Sequence, residues 1–277
     1  MNQIDLFKKT YKIMSVITAV TVLLLLLCFM LSFDASSGYF SNSIFTVIFF
    51  AAYIVGILVS LSAIFIPSEF DLLDTPNEIG KNHRSYFVCS GIASILIGVF
   101  SLLLRNSVID LKTILYASIG LISFGIYLII VAVKGAGFGI IKLLFLLFSI
   151  LLPFSVGIGN NNNYYHHINS IENTLTVFFA IAFLAFILQE AKRIITGTHS
   201  NWHFVSMLLT YMSSLSVSVA YMIAFIFDSV NEGYRFYQMT MILLVGISVM
   251  LKINHFVGSL TPHSKHPDAK ANTEETK

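Results

Sequence analysis

Long apolar runs, each closed by a short polar or small-residue segment, recur along nearly the whole chain. They lie at roughly 13–33, 44–66, 86–104, 113–133, 138–158, 174–190, 203–227 and 236–257. About 20 predominantly apolar residues cross the hydrocarbon of a bilayer as a helix, so the pattern predicts eight transmembrane helices. Runs such as VLLLLLCFMLSF show no period-two alternation. In lipid only helices or closed barrels satisfy every backbone group, and the fold class is therefore an all-α, polytopic membrane bundle.

The first run follows Lys8, Lys9 and Lys12 and precedes DASSG, which has the outline of a signal peptide. Its apolar stretch exceeds the core of about 7–15 residues that such a peptide carries, so it reads as an uncleaved first span. Residues 1–260 form one integral membrane domain. The tail 261–277, TPHSKHPDAKANTEETK, is polar and proline-punctuated and is expected to be a disordered cytoplasmic tail. In the segment between the second and third spans, Thr75, Pro76 and Glu78 have the spacing of a capping box, which predicts that the third helix starts there.

Composition turns the pattern into a statement about solvent. The 277 residues are 56% hydrophobic and 11% charged, with mean hydropathy +0.83. Soluble domains carry about 25% charged residues; a core of this length has no means of hiding so much apolar surface from water, and lipid is the partner. A net charge of +2 without a basic, aromatic-interleaved patch excludes nucleic acid as a partner. Cys28 and Cys89 fall near opposite ends of their spans, about 18 Å apart in depth, too far for a disulfide. The Ile, Phe and Asn bias, and the absence of any N-x-S/T sequon, point to a bacterial chain.

Charge then sets orientation. With the N-terminus inside, the inner segments hold Lys8, Lys9, Lys12, Lys81, Arg84, Lys134, Lys142, Lys192, Arg193, Lys252, Lys265, Lys270 and Lys277. The outer segments hold Arg105, Lys112 and Arg235 alone. This bias places both termini in the cytoplasm of a multi-pass cell-membrane protein.

An offset of 116 residues aligns Asp74 with Glu190, His83 with His199 and Tyr86 with Trp202. It also aligns Ser90, Ser94 and Gly98 with Ser206, Thr210 and Ser214. These pairings suggest a four-plus-four parallel repeat in which the third and seventh spans meet near a two-fold axis along the membrane normal.

Chemistry has few places to reside. No Asp, Glu, Lys, Arg or His falls in the middle third of any span, which argues against a proton-driven pump or a voltage-gated channel. Topology gathers Asp74, His83, Glu190, His199, His203 and His255 at the inner face as a candidate polar cluster. His199 and His203, four apart, share a helix face, but the inner glutamate of H-E-x-x-H is missing. No metal site and no cofactor is therefore assigned. Thr198 or Ser200 suits the N-cap of the seventh span and Trp202 its interfacial anchor. That span also carries a polar stripe, Ser206, Thr210, Ser214 and Ser218, of the kind that lets membrane helices approach closely. Pro153 predicts a kink or break in the fifth span, GAGFG (135–139) a tight turn, and His166 and His167 an exterior pair without evident partners.

Three functional classes follow. The leading one is non-enzymatic: a permease-like carrier of a neutral or weakly polar solute, or the membrane subunit of an assembly. The second is a membrane enzyme acting on lipid headgroups through the inner-face His and carboxylate cluster. The third is a structural or regulatory membrane partner whose cytoplasmic loops bind another chain.

Overall fold

The structure, a computed structural model, describes residues 3–34, 39–40, 44–66, 81–103, 111–135, 139–162, 171–197, 200–227 and 233–259. It is a helical bundle built from α1 (Gln3–Leu31), α2 (Ile44–Ser62), α3 (Lys81–Leu103), α4 (Leu111–Lys134), α5 (Ile140–Phe148), α6 (Leu151–Asn162), α7 (Ile171–Thr196), α8 (Asn201–Ile226) and α9 (Gly233–Ser259). A two-residue antiparallel bridge, β1 (Phe33–Asp34) with β2 (Tyr39–Phe40), joins α1 to α2 in the register Phe33 to Phe40. Among the described residues, seven helices are long and apolar enough to cross a membrane. Their outward faces remain apolar, as at Val16, Leu23, Val47 and Leu58, which is the surface a lipid solvent accepts and water does not.

The fifth apolar run departs from a single span. It is a shorter apolar helix, Ile140–Val156, interrupted at Ser149 and Ile150 between α5 and α6. Pro153 is the physical reason: its ring nitrogen has no hydrogen to donate to the Ser149 carbonyl four residues back, and its ring crowds that carbonyl. The Ser149 carbonyl instead accepts from the Leu152 amide at 3.1 Å. The broken backbone lies directly on α4, where a Cβ at Gly120 would collide with the Leu152 backbone.

α8 is the central helix, packed against α1, α2, α7 and α9, whereas α3 sits to one side between α4 and α9. The suggested repeat makes the third and seventh spans equivalent and adjacent. Their counterparts α3 and α8 have different neighbours, and their contact is not among the principal ones of the described residues. The similar spacing of the two halves therefore produces no two-fold packing. What the small and polar positions produce is local closeness: at the α3–α4 crossing, a Cβ on Gly91 or Gly125 would strike the other's carbonyl oxygen. Hydroxyl pairs bridge other helices, Thr21 with Ser216 at 2.7 Å and Ser90 with Ser248 at 2.6 Å.

Helix ends at one pole of the bundle are closely specified. Gly135 and Gly197 follow α4 and α7 with φ of 74° and 73°, the left-handed conformation that ends helices and that glycine adopts without strain. Ser200 caps α8 by accepting from the His203 amide at 3.2 Å. Asn201 donates to the Ile64 and Ile66 carbonyls at 3.0 and 2.6 Å, fastening the end of the second span to the start of α8. Cys28 and Cys89 are free thiols, the first buried and the second exposed. The Thr75–Glu78 capping box, Thr198, the pair His166 and His167, and the tail 261–277 lie outside the described residues.

Candidate functional site

The buried face of α7 is Phe179, Phe183, Phe186, Ile187, Glu190 and Ile194, the spacing of one helical stripe. Glu190 thus falls where the helix otherwise presents aromatic and aliphatic side chains to the core, and its exposure is 0%. A lone carboxylate at such a position is prohibitively unfavourable unless paired and hydrogen-bonded. The bundle supplies those partners from four helices.

Glu190 Oε1 accepts from the Tyr127 hydroxyl of α4, from the Lys252 ammonium of α9, and from Arg193 Nη2 at 2.6 Å. Its other oxygen, Oε2, accepts from Arg193 Nε at 3.1 Å and lies 2.7 Å from His203 Nε2 of α8. The guanidinium therefore grips the carboxylate with two donors, the stronger and more directional form of ion pair. Lys252 Nζ also donates to the Tyr127 oxygen at 2.7 Å, so the phenol relays between ammonium and carboxylate.

Aromatic rings hold the charged groups in place. Phe179, Phe183, Phe186 and His203 stack in sequence, with centroid separations of 5.7, 6.0 and 6.1 Å and nearly parallel planes. Lys252 Nζ stands 5.0 Å from the Tyr127 ring centroid and 5.6 Å from that of Phe186, within range of cation–π attraction. Lys142 is buried close by in α5 and donates to the Gly135 carbonyl at 3.0 Å.

Of the six sequence-derived cluster residues, the structure brings together Glu190 and His203 in this centre. It brings together His83 and His255 as a separate, edge-to-face pair with centroids 5.5 Å apart, His255 also facing Phe87. Asp74 and His199 lie outside the described residues. Among the described residues, no three His, Cys, Asp or Glu side chains group closely enough to hold a metal ion. Tyr127, Arg193 and Lys252 complete the centre and were not among the sequence candidates. In the sequence Arg193 and Lys252 carry the orientation signal; what distinguishes them is their position on the buried stripes of α7 and α9.

The hydroxyls of Ser206, Thr210, Ser214 and Ser218 donate to carbonyls of their own helix, those of His203, Ser206, Tyr211 and Ser214. All four are buried, and α9 presses its backbone onto Ser214 at Gly246. In this conformation the stripe is a packing surface. No protein-family model, curated protein or solved structure matches this chain.

Proposed function

We propose that the chain is a multi-pass membrane carrier, inserted with both termini on the cytoplasmic side, whose working centre is the Glu190 cluster at the inner end of the bundle. One observation carries this reading: a fully buried carboxylate is the common partner of side chains from four helices. Ionisable groups buried in a membrane bundle are expensive and are a mark of substrate and ion pathways. Replacing a buried ion-pair cluster by well-packed apolar residues is often neutral or stabilising, so stability alone does not explain its composition. The cluster closes the inner end. Directly beyond it on α8 lie Ser206, one turn from His203, then Thr210 and Ser214, hydroxyls that become available to a solute once α9 moves from α8.

The test is chemical access. In a Cys28→Ala/Cys89→Ala background, Ser206→Cys is exposed to a membrane-impermeant maleimide from the cytoplasmic side of inverted vesicles. Labelling is expected to be slow with Glu190 intact. With Glu190→Gln it should be at least about tenfold faster, since loss of a buried pair is worth several times the roughly 1.4 kcal/mol that a tenfold change requires. Equal labelling in two folded variants sinks the gate.

The Glu190–His203 contact favours a second reading, an enzyme on lipid headgroups in which the imidazole takes a proton. It requires His203→Gln to abolish headgroup turnover while leaving thiol access unchanged.

A further inference from the structure

We infer that the Glu190 cluster is a recognition site for an oxyanion group, carried on a lipid headgroup or on a free solute, and that Glu190 is the internal anion with which this ligand competes. The inference deepens the reading of the cluster as the working centre and rests on it.

Charge balance is the first argument. Arg193 and Lys252 are each 7% exposed. Among the described residues, Glu190 is the one carboxylate within ion-pair distance of either. One carboxylate thus serves two cations, with the Lys142 ammonium also buried close by, so positive charge outweighs carboxylate among the described residues of the site. An unmatched buried charge is among the most costly features a protein can hold. Negative charge on a ligand reduces the mismatch; a cation or a neutral solute does not.

Donor chemistry is the second. The guanidinium fork matches two oxygens of a carboxylate or phosphate, and here it already grips such a pair on Glu190. The ammonium of Lys252, the hydroxyl of Tyr127 and the imidazole of His203 converge on the same two oxygens from three other helices. Glu190 therefore stands where an oxyanion would be held, and shows in covalent form how the site grips one.

Depth is the third. Glu190 and Lys252 lie six and seven residues before the last residues of α7 and α9, about 9–10 Å along each helix axis. Trp202, adjacent to His203, is 53% exposed on the bundle surface, where the amphipathic indole marks the interfacial level. Lipid phosphates occupy that level, so a headgroup needs no long passage to reach the cluster, and a free anion enters from the same side.

The experiment uses the full chain in nonionic detergent and isothermal titration with two probes, inorganic phosphate and short-chain dihexanoylphosphatidylglycerol, against chloride at matched ionic strength. Saturable binding of at least one probe is expected, phosphate pointing to a free solute and phosphatidylglycerol to a headgroup. Glu190→Gln, which removes the competing charge, should tighten binding by at least about tenfold. Lys252→Met should weaken it by a similar factor. If Glu190→Gln does not fold, Lys252→Met and Arg193→Lys against the native chain carry the test, both expected to weaken binding. No saturable binding to the folded proteins, or binding indifferent to these substitutions, overturns the inference. Maleimide access that responds to Glu190→Gln without any anion binding leaves the gate standing and removes the oxyanion. Anion binding without a change in access does the reverse.

Discussion

His203 Nε2 stands 2.7 Å from Oε2 of Glu190, joining the first buried side chain of α8 to the C-terminal third of α7. This contact crosses the turn at Gly197 and Ser200, so the two helices are locked at the point where the chain reverses. The same carboxylate reaches α4 through Tyr127 and α9 through Lys252. A single substitution at Glu190 is therefore expected to be felt by four helices at once.

Glu190→Gln should cost about 3–5 kcal/mol, the usual penalty for leaving a buried charge without its partner. Here it strands Arg193 and Lys252 together. Adding Lys252→Met removes one stranded cation and should recover part of the loss. Thermal unfolding of the four proteins of this double-mutant cycle in detergent checks the claim, with a coupling of about 1–3 kcal/mol expected. Simple additivity contradicts a shared cluster.

Tyr127→Phe is expected to be milder. It deletes the hydroxyl that donates to Glu190 and accepts from Lys252, but leaves the direct ion pair and the ring beneath the ammonium. A loss of about 1.5–3 kcal/mol, typical of hydrogen bonds to charged groups, should appear in the same unfolding assay. A loss as large as that of Glu190→Gln would mean that the phenol, and not the carboxylate, organises the site.

The legible part of this molecule was its solvent. Seven runs become helices apolar enough to span, and Pro153 breaks the fifth where its missing amide hydrogen demands it. Glu190 and His203 stood out because few polar residues interrupt those runs. Arg193 and Lys252 did not, since a basic residue near an inner helix end carries the orientation signal whether it faces lipid headgroups or the core. Their rotation about the helix axis decides the matter, and it shows only against neighbours: Lys252 falls in line with buried Val245, Val249 and Phe256. Tyr127 was hidden for the opposite reason, as one more aromatic in an apolar run. The four-plus-four offset matched residue types without matching helix neighbours, because small and hydroxylated residues recur wherever membrane helices cross closely.

The α3–α4 crossing offers a test of packing independent of the charged centre. Gly125→Leu inserts a side chain against the Gly91 carbonyl and Ser94, and overpacking of this kind costs about 1–3 kcal/mol. Gly258→Leu is the control, since a Cβ there meets nothing within 4 Å. Folded yield and unfolding temperature should fall for the first and hold for the second. Equal tolerance would mean that the helices do not cross at these glycines.

Asn201→Ala removes two donors from the Ile64 and Ile66 carbonyls. Each is worth about 1 kcal/mol net, and the loss is local to the junction of the second span with α8. Hydrogen exchange at residues 63–66 should speed up several-fold while the centre of α8 stays protected. Unchanged exchange at 63–66 would show that the clasp does not hold this end.

The Glu190 cluster is proposed to hold one end of the bundle closed. In the Cys28→Ala/Cys89→Ala background, spin labels at Val133→Cys on α4 and Gly258→Cys on α9, both exposed near that end, report the separation of two helices that the carboxylate joins. Pulsed electron–electron resonance on the native and Glu190→Gln chains in lipid nanodiscs is the direct measurement. A narrow distance distribution that broadens and lengthens in Glu190→Gln is the expected result. An identical narrow distribution in both proteins would contradict the claim.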